Sequence, residues 1–222
     1  MLGLGFLIAV LTLSTGGSAG AAPELTIVAL GDSTTAGTPG FLSPAENPPN
    51  GSGNPESQYS YWMMKLHPEW KILNRGIAGQ RSDQIFQRFD RDVLGLLPQA
   101  VIVLAGVNDL YQGYPPEWVE SHLQDLYERA ARANLKVVAC TILPFNQADS
   151  KTLSGIKAVN QWIQRYSQEH GLGFCDTYSA SEDPSHPGNL AGSSDGLHPD
   201  VATYRKIGQA IAFALEKYLV QS

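Results

Sequence analysis

The chain has 222 residues, 43% of them hydrophobic and 16% charged, with 22 Gly and 14 Pro. That composition suits one globular domain with a sizeable core. Fifteen Lys and Arg stand against 21 Asp and Glu, a net charge of −6 with no basic stripe, which argues against a nucleic-acid partner.

The first 22 residues, MLGLGFLIAVLTLSTGGSAGAA, carry no charged side chain. The apolar run Leu2–Leu13 is too short to span a bilayer comfortably, and small residues ending Ala19-Gly20-Ala21 follow it. The pattern predicts a signal peptide over residues 1–22, cleaved near Ala21 or Ala22, and hence a secreted or periplasmic protein with no stable membrane span. Its n-region lacks Lys and Arg, so an uncleaved N-terminal anchor is the alternative. No Cys follows the apolar run to carry a lipid. Residues 23–222 read as one domain.

ELTIVAL (24–30) is the first predicted strand. It ends in Gly31-Asp32-Ser33-Thr34, where Gly permits a sharp exit and Ser33 can present both its Oγ and its N–H to a ligand. The stretch 38–57, TPGFLSPAENPPNGSGNPES, reads as a functional lid or a disordered insertion. A short helix over Tyr59–Leu66 leads to a strand at KILN (71–74). In the loop after it, NRGIAGQRS, Gly76 and Gly79 can offer unpaired backbone N–H groups to an anion. A helix begins near Ser82 with Ile85, Phe86, Phe89 and Val93 on one face. The third strand, AVIVLA (100–105), is followed by GVND, which puts the neutral donor Asn108 at the same rim.

A second helix begins near Pro116 and carries Trp118, Leu123, Leu126, Tyr127 and Ala130. Strand KVVACTIL (136–143) precedes a third helix, about Thr152 to His170, with Ile156, Val159, Trp162, Ile163 and Tyr166. Strand GFCDTY (173–178) comes next, and the last helix, from Asp200, carries Tyr204, Ile207, Ile211, Leu215 and Leu219. Five such alternations predict an α/β fold, a three-layer α/β/α sandwich with a five-stranded, mostly parallel sheet. In an open sheet of that kind ligands bind at the carboxyl ends of the strands. Cys140 and Cys175 are too few for a disulfide framework and read as buried small side chains, with a single bridge open if their strands are neighbours.

The segment DPSHPGNLAGSSDGLHPD (183–200) writes one phrase twice: Asp183 stands three before His186-Pro187, and Asp195 three before His198-Pro199. The second copy is favoured as an acid–base pair. His198 sits just before the last helix, which Asp200 can cap. Pro199 restricts its backbone, and Gly196 lets the turn close tightly.

The blocks GDST (31–34), NRGIAG (74–79), GVND (106–109) and DGLHP (195–199) together resemble the SGNH, or GDSL-type, hydrolase family, from about Ile27 to the C-terminal helix. Thr34 stands where the name-giving motif has Leu. The resemblance implies a flavodoxin-like SGNH hydrolase fold and a carboxylic ester hydrolase without metal or cofactor. It makes Ser33 the nucleophile, His198 the general base and Asp195 its orienting partner. The oxyanion hole would comprise the Ser33 and Gly79 N–H groups and the Asn108 side chain. These roles make physical sense. A serine hydroxyl needs a base to take its proton during attack, and preorganised donors stabilise the O⁻ that develops.

The expected partner is a small-molecule or carbohydrate acyl ester. Asp32, Tyr111 and Phe145 are read as touching it, with Tyr59, Tyr61 and Tyr114 as further lining candidates. Short acyl esters, including acetylated carbohydrates and aryl esters, are favoured over long lipids because no apolar lid helix is evident. Four alternatives stand beside this reading: an acyltransferase, and a lysophospholipase or thioesterase, with the same triad; a metal site gathered from Asp32, Asp109, Asp195 and His198; and a secreted non-catalytic binding module. Two G-x-S-x-G strings, at 16–20 and 192–196, lack the strand–turn–helix context of a nucleophile elbow.

Overall fold

Alternate residues of each strand feed two different cores, which is why the strands read as unbroken apolar runs. The structure, a computed structural model, describes residues 25–220. The predicted leader lies outside the described residues. Five parallel strands, β1 (Leu25–Gly31), β2 (Trp70–Gly76), β3 (Ala100–Leu104), β4 (Lys136–Cys140) and β5 (Gly173–Cys175), form one sheet in the order β2-β1-β3-β4-β5. Val28, Leu30, Val101, Val103 and Val137 belong to one core; Ile27, Ala29, Ile102, Leu104 and Val138 belong to the other.

Helices cover both faces. The serine follows β1 in α1 (Ser33–Ala36), and α2 (Tyr59–Leu66) returns the chain to β2. On the first face lie α3 (Ser82–Gln87), α4 (Phe89–Asp92), α5 (Val107–Tyr111), α6 (Pro116–Arg132) and α7 (Ser150–His170), through Ile85, Phe89, Leu126 and Ile163. After β5 comes the short α8 (Thr177–Ser181). The last helix, α9 (Val201–Val220), joins α2 on the second face through Tyr204, Ile207 and Ile211. Each fully buried aliphatic of that stripe contributes about 1.5–3 kcal/mol of transfer free energy. No helix among the described residues is long and apolar enough to cross a membrane.

The predicted three-layer sandwich is therefore the observed one, with the sheet parallel throughout. Strand β1 has β2 on one side and β3 on the other, so the carboxyl ends of β1 and β3 flank a topological switch point. Ser33 follows β1 and Asn108 follows β3.

Some elements differ from the sequence reading. The helix begun at Ser82 breaks at Arg88 into α3 and α4, and the Arg88 side chain turns inward at the break. Its guanidinium donates to the Gly31 carbonyl (2.8 Å), the Arg75 carbonyl (2.8 Å), Gln80 Oε1 (2.6 Å) and Asp92 Oδ2 (2.9 Å). On α6, Val119 heads the buried stripe and Trp118 is 37% exposed. GFCDTY is strand only to Cys175, since Asp176 caps α8 by accepting the Ser179 N–H. The 38–57 stretch is folded rather than disordered: Phe41–Leu42 pairs antiparallel with Ser52–Gly53, and Pro55–Ser57 forms a 3₁₀ turn. Cys140 and Cys175 are register partners on β4 and β5 and are both free thiols.

Arg88 satisfies two strand-end carbonyls and a buried carboxylate, and its removal leaves them bare. Arg88→Met is expected to lower the unfolding free energy by ~3 kcal/mol or more in urea titrations. Arg88→Lys should not restore it, because an ammonium lacks the planar fork that reaches several acceptors at once. A loss below about 1 kcal/mol would mean water serves those carbonyls instead.

Candidate active site

Strand β1 ends at Gly31, and Asp32 caps α1 by accepting the Thr34 N–H on Oδ1 at 3.0 Å. Ser33 thus opens the helix, and its own N–H meets no acceptor among the described residues. Strand β2 locks this turn. A Cβ on Gly76 would lie 2.0 Å from the Ala36 nitrogen, so only glycine lets α1 sit this close. Asn74 donates to the Thr35 (2.8 Å) and Ala36 (3.2 Å) carbonyls, satisfying the far end of α1.

Asp195 lies across from this turn. Its Oδ1 accepts the backbone N–H groups of Leu197 (2.9 Å) and His198 (2.8 Å), and its Oδ2 lies 2.6 Å from His198 Nδ1. The other ring nitrogen, Nε2, lies 2.9 Å from Ser33 Oγ. An ionised carboxylate only accepts, so Nδ1 carries the proton and Nε2 offers its lone pair to the serine hydroxyl. Burial pushes the Asp195 carboxyl up. The hydrogen bonds from the His198 ring and from the His198 and Leu197 N–H groups outweigh it and hold the carboxyl well below its ordinary range. Asp200 caps α9 through the Thr203 N–H at 2.8 Å, fixing the ledge that carries His198.

The first copy of the phrase makes the same local pair. Asp183 Oδ2 lies 2.9 Å from His186 Nδ1, and its Oδ1 accepts the Ser185 N–H. The pair forms in both places because a carboxylate capturing N–H groups two or three residues on is a local turn motif. Location separates them. The His186 side chain is 70% exposed and its Nε2 has no partner among the described residues, whereas that of His198 is 14% exposed and faces Ser33.

Two further donors stand on neighbouring loops. Gly79 adopts φ +75°, a left-handed backbone that favours glycine, and its N–H meets no acceptor among the described residues. One Asn108 amide hydrogen goes to the Gln80 carbonyl at 2.9 Å, leaving the other free. Residues to which the sequence reading gave no such role hold these donors in place. Glu46, from the 38–57 stretch, accepts the Ala78 N–H on Oε1 (2.7 Å) and the Ser43 N–H on Oε2 (3.0 Å). Buried Asp109 accepts the Ser82 N–H (2.9 Å) and hydroxyl (2.6 Å), tying α5 to α3. Of these, Asp109 alone had a signal, as a member of GVND; Glu46 and Arg88 left no periodic trace.

Several predicted contacts are corrected. Asp32 is 2% exposed, and its Oδ1 is taken by the Thr34 N–H, so what it offers the site is a buried wall. Tyr59 is fully buried in the core beneath α9. Phe145 is buried, while Tyr111 is 64% exposed and packs edge-on against it at 5.8 Å between ring centres. The four residues of the metal reading do not converge: Asp32 and Asp109 use their oxygens on Thr34 and Ser82, and no group of three or more His, Cys, Asp or Glu gathers among the described residues. A cavity of 460 Å³ between α7 and α8, lined by Lys157, Gln161, Phe174 and Tyr178 among others, shares no residue with the serine relay. The candidate site is picked out by its hydrogen bonds rather than by its volume.

Residues 29–206 match the GDSL-like lipase/acylhydrolase family. The chain belongs to that family. This GDSL-type chain is 26% identical over 164 residues to an acetylxylan esterase of Geobacillus stearothermophilus, covering 67% of this chain and 74% of that one. A crystal structure of acetylxylan esterase from the same organism superposes with a TM-score of 0.68 at 19% identity, covering 86% and 94% of the two chains. A GDSL-like lipase from Bacteroides thetaiotaomicron superposes with a TM-score of 0.70 at 23% identity, covering 87% and 89%. These likenesses share the observed fold, and the family membership makes the chain an ester hydrolase.

Burial raises the Asp32 carboxyl from 3.8 to about 7, with Asp109 adding to the rise and the Thr34 N–H and Arg88 opposing it. The folded protein therefore keeps a proton that the unfolded chain has already lost. The stability tied to that proton is complete below 3.8 and disappears as pH rises through about 7. Asp32→Asn preserves the cap but cannot ionise. Its urea midpoint should fall less than that of the wild type between about pH 5 and about pH 8. Parallel profiles would show Asp32 ionised across the whole range.

Proposed function

We propose that Ser33, His198 and Asp195 form a catalytic triad that hydrolyses short-chain acyl esters through an acyl-enzyme. The observation that carries this reading is the relay itself, with Nε2 of His198 at 2.9 Å from Ser33 Oγ and Nδ1 at 2.6 Å from Asp195. In attack, His198 takes the hydroxyl proton as Oγ bonds to the ester carbonyl carbon. The carbonyl oxygen becomes an oxyanion, which the N–H groups of Ser33 and Gly79 and the free Asn108 amide hydrogen can meet. Collapse breaks the bond to the alcohol, which leaves with the proton from His198. Water then repeats the sequence on the acyl-serine, releasing the acid and restoring the hydroxyl.

A small cleft beside the serine turn supports a short acyl group. Asp32 and Thr34, which flank Ser33, line it together with Val107 beside Asn108, Leu197 beside His198, and Ile142 and Leu143. Its volume of about 10 Å³ is roughly one water-sized sphere, the scale of an acetyl methyl. Export through the 1–22 leader belongs to the same reading, as expected for an enzyme meeting extracellular esters.

Two experiments test this. His198→Ala should lower kcat for p-nitrophenyl acetate by about 10⁴ or more, while His186→Ala should cost less than about tenfold. The reverse result would assign the acid–base role to the wrong copy of the phrase. Across p-nitrophenyl acetate, butyrate and hexanoate, kcat/KM should fall by at least about tenfold from acetyl to hexanoyl, the discrimination that a few methylenes supply when a pocket cannot admit them. Equal or rising values would remove the cleft from the acyl site.

A further inference from the structure

The two edges of the sheet are treated differently. The 38–57 stretch lies alongside β2: Ser43 Oγ donates to the Gly76 carbonyl at 2.6 Å, and Phe41, Pro44 and Pro49 share a cleft with Ile72 and Asn74. At the opposite edge, no described strand pairs beyond β5. The Thr141 N–H donates to the Cys175 carbonyl at 3.1 Å, which turns Cys175, and by alternation Gly173, toward β4. The N–H and C=O of Phe174 therefore point away from the sheet, and no bond among the described residues uses them. Such a backbone is a template for another strand.

Clefts of 460 Å³ and 410 Å³ run along the two faces of this edge and meet at Phe174 and Asp176. The larger presents Gln161 and Gln164 from α7. The smaller, against α9, holds Phe213, which is 68% exposed, with Asp176 past the carboxyl end of β5. Lys217 lies toward the amino end, where its neighbour Tyr218 sits against Gly173. Lys217 enters no ion pair among the described residues. Asp176 Oδ2 takes only the Ser179 hydroxyl, at 2.7 Å, and keeps a lone pair.

We infer that β5 pairs antiparallel with β5 of a second copy of this chain, joining two sheets into one across a two-fold axis at Phe174. The edge is self-complementary, which an unrelated strand would not need. Its outward N–H and C=O belong to one residue, so Phe174 can exchange both bonds with its own copy. The two Phe174 rings then lie on one face as a cross-strand aromatic pair. Reversal of the strand brings Lys217 of each copy to Asp176 of the other, so the charge match occurs twice. Phe213 leaves water, and Gln161 and Gln164 can both donate and accept toward their copies. Ser33 follows β1, with β3 and β4 between it and this edge, so the contact leaves the serine relay open.

Sedimentation equilibrium of the full-length protein over a concentration series tests this, with backbone hydrogen–deuterium exchange on the same samples. A dimer should form, and the peptide carrying Phe174 should exchange more slowly as protein concentration rises. Lys217→Glu and Phe213→Lys should each raise the dissociation constant by at least ~10-fold. Both side chains are exposed, so these variants should fold. Lys217→Arg should stay within about threefold of the unaltered protein, and added salt should weaken the dimer. A monomer at every concentration overturns the inference. So does a dimer that ignores Lys217→Glu and Phe213→Lys, or one that leaves the Phe174 amide unprotected, since its contact lies elsewhere.

Discussion

The carbonyls of Gly31 and Arg75 end two adjacent parallel strands inside the protein, and Arg88 donates to both. A parallel sheet collects all its carboxyl ends on one rim, so unpaired carbonyls accumulate where the reactive groups must stand. One inward guanidinium resolves this for β1 and β2 and, through Gln80, extends to the loop that carries Gly79. Gln80 also accepts from Asn108, so the same support reaches the β3 side of the crevice. The position of Ser33 relative to both other donors thus depends on a side chain that touches none of the reacting atoms.

The electrostatics follow from that arrangement. Asp32, Asp92 and Asp109 are all buried near the rim, and Arg88 lies among them. Asp92 is held below its ordinary range: burial pushes it up, but the bonds from Arg91 and Arg88 outweigh this. Asp32 has no such partner, and burial drives its carboxyl up to about 7. A protonated Asp32 still accepts the Thr34 N–H on its other oxygen and adds no negative charge beside the proposed oxyanion. An ionised one would oppose that oxyanion at close range. By contrast Asp195, which must balance an imidazolium if His198 acts as a base, is held ionised by the hydrogen bonds from the His198 ring and from the His198 and Leu197 N–H groups.

The fold and the candidate site were legible for different reasons. Strands buried on both faces leave a continuous apolar signature, and α9 a clean helical stripe, so the sandwich could be read from periodicity. The residues of the proposed triad and its donors sit in short blocks at strand and helix ends, where Gly, Asp and Asn mark backbone turns. What escaped was non-local. Arg88 interrupts an otherwise regular stripe and turns inward, which periodicity treats as a surface residue. Glu46 lies in a Pro- and Gly-rich stretch whose contacts cross to Ala78 and leave no pattern. Asp32 neighbours Ser33 in sequence but faces its own helix, because a cap residue points back along the chain it caps. The twin Asp–His phrases show the limit most directly: local chemistry builds both pairs, and tertiary position alone brings one of them to the serine.

The central claim is that Ser33, activated by His198, is the nucleophile. Labelling the purified protein with a fluorophosphonate and mapping the adduct by peptide mass spectrometry tests it without assuming a substrate. The account predicts a single stoichiometric adduct on Ser33, formed much more slowly when His198 is replaced by alanine. An adduct on another residue, or labelling of Ser33 at the same rate without His198, would contradict it.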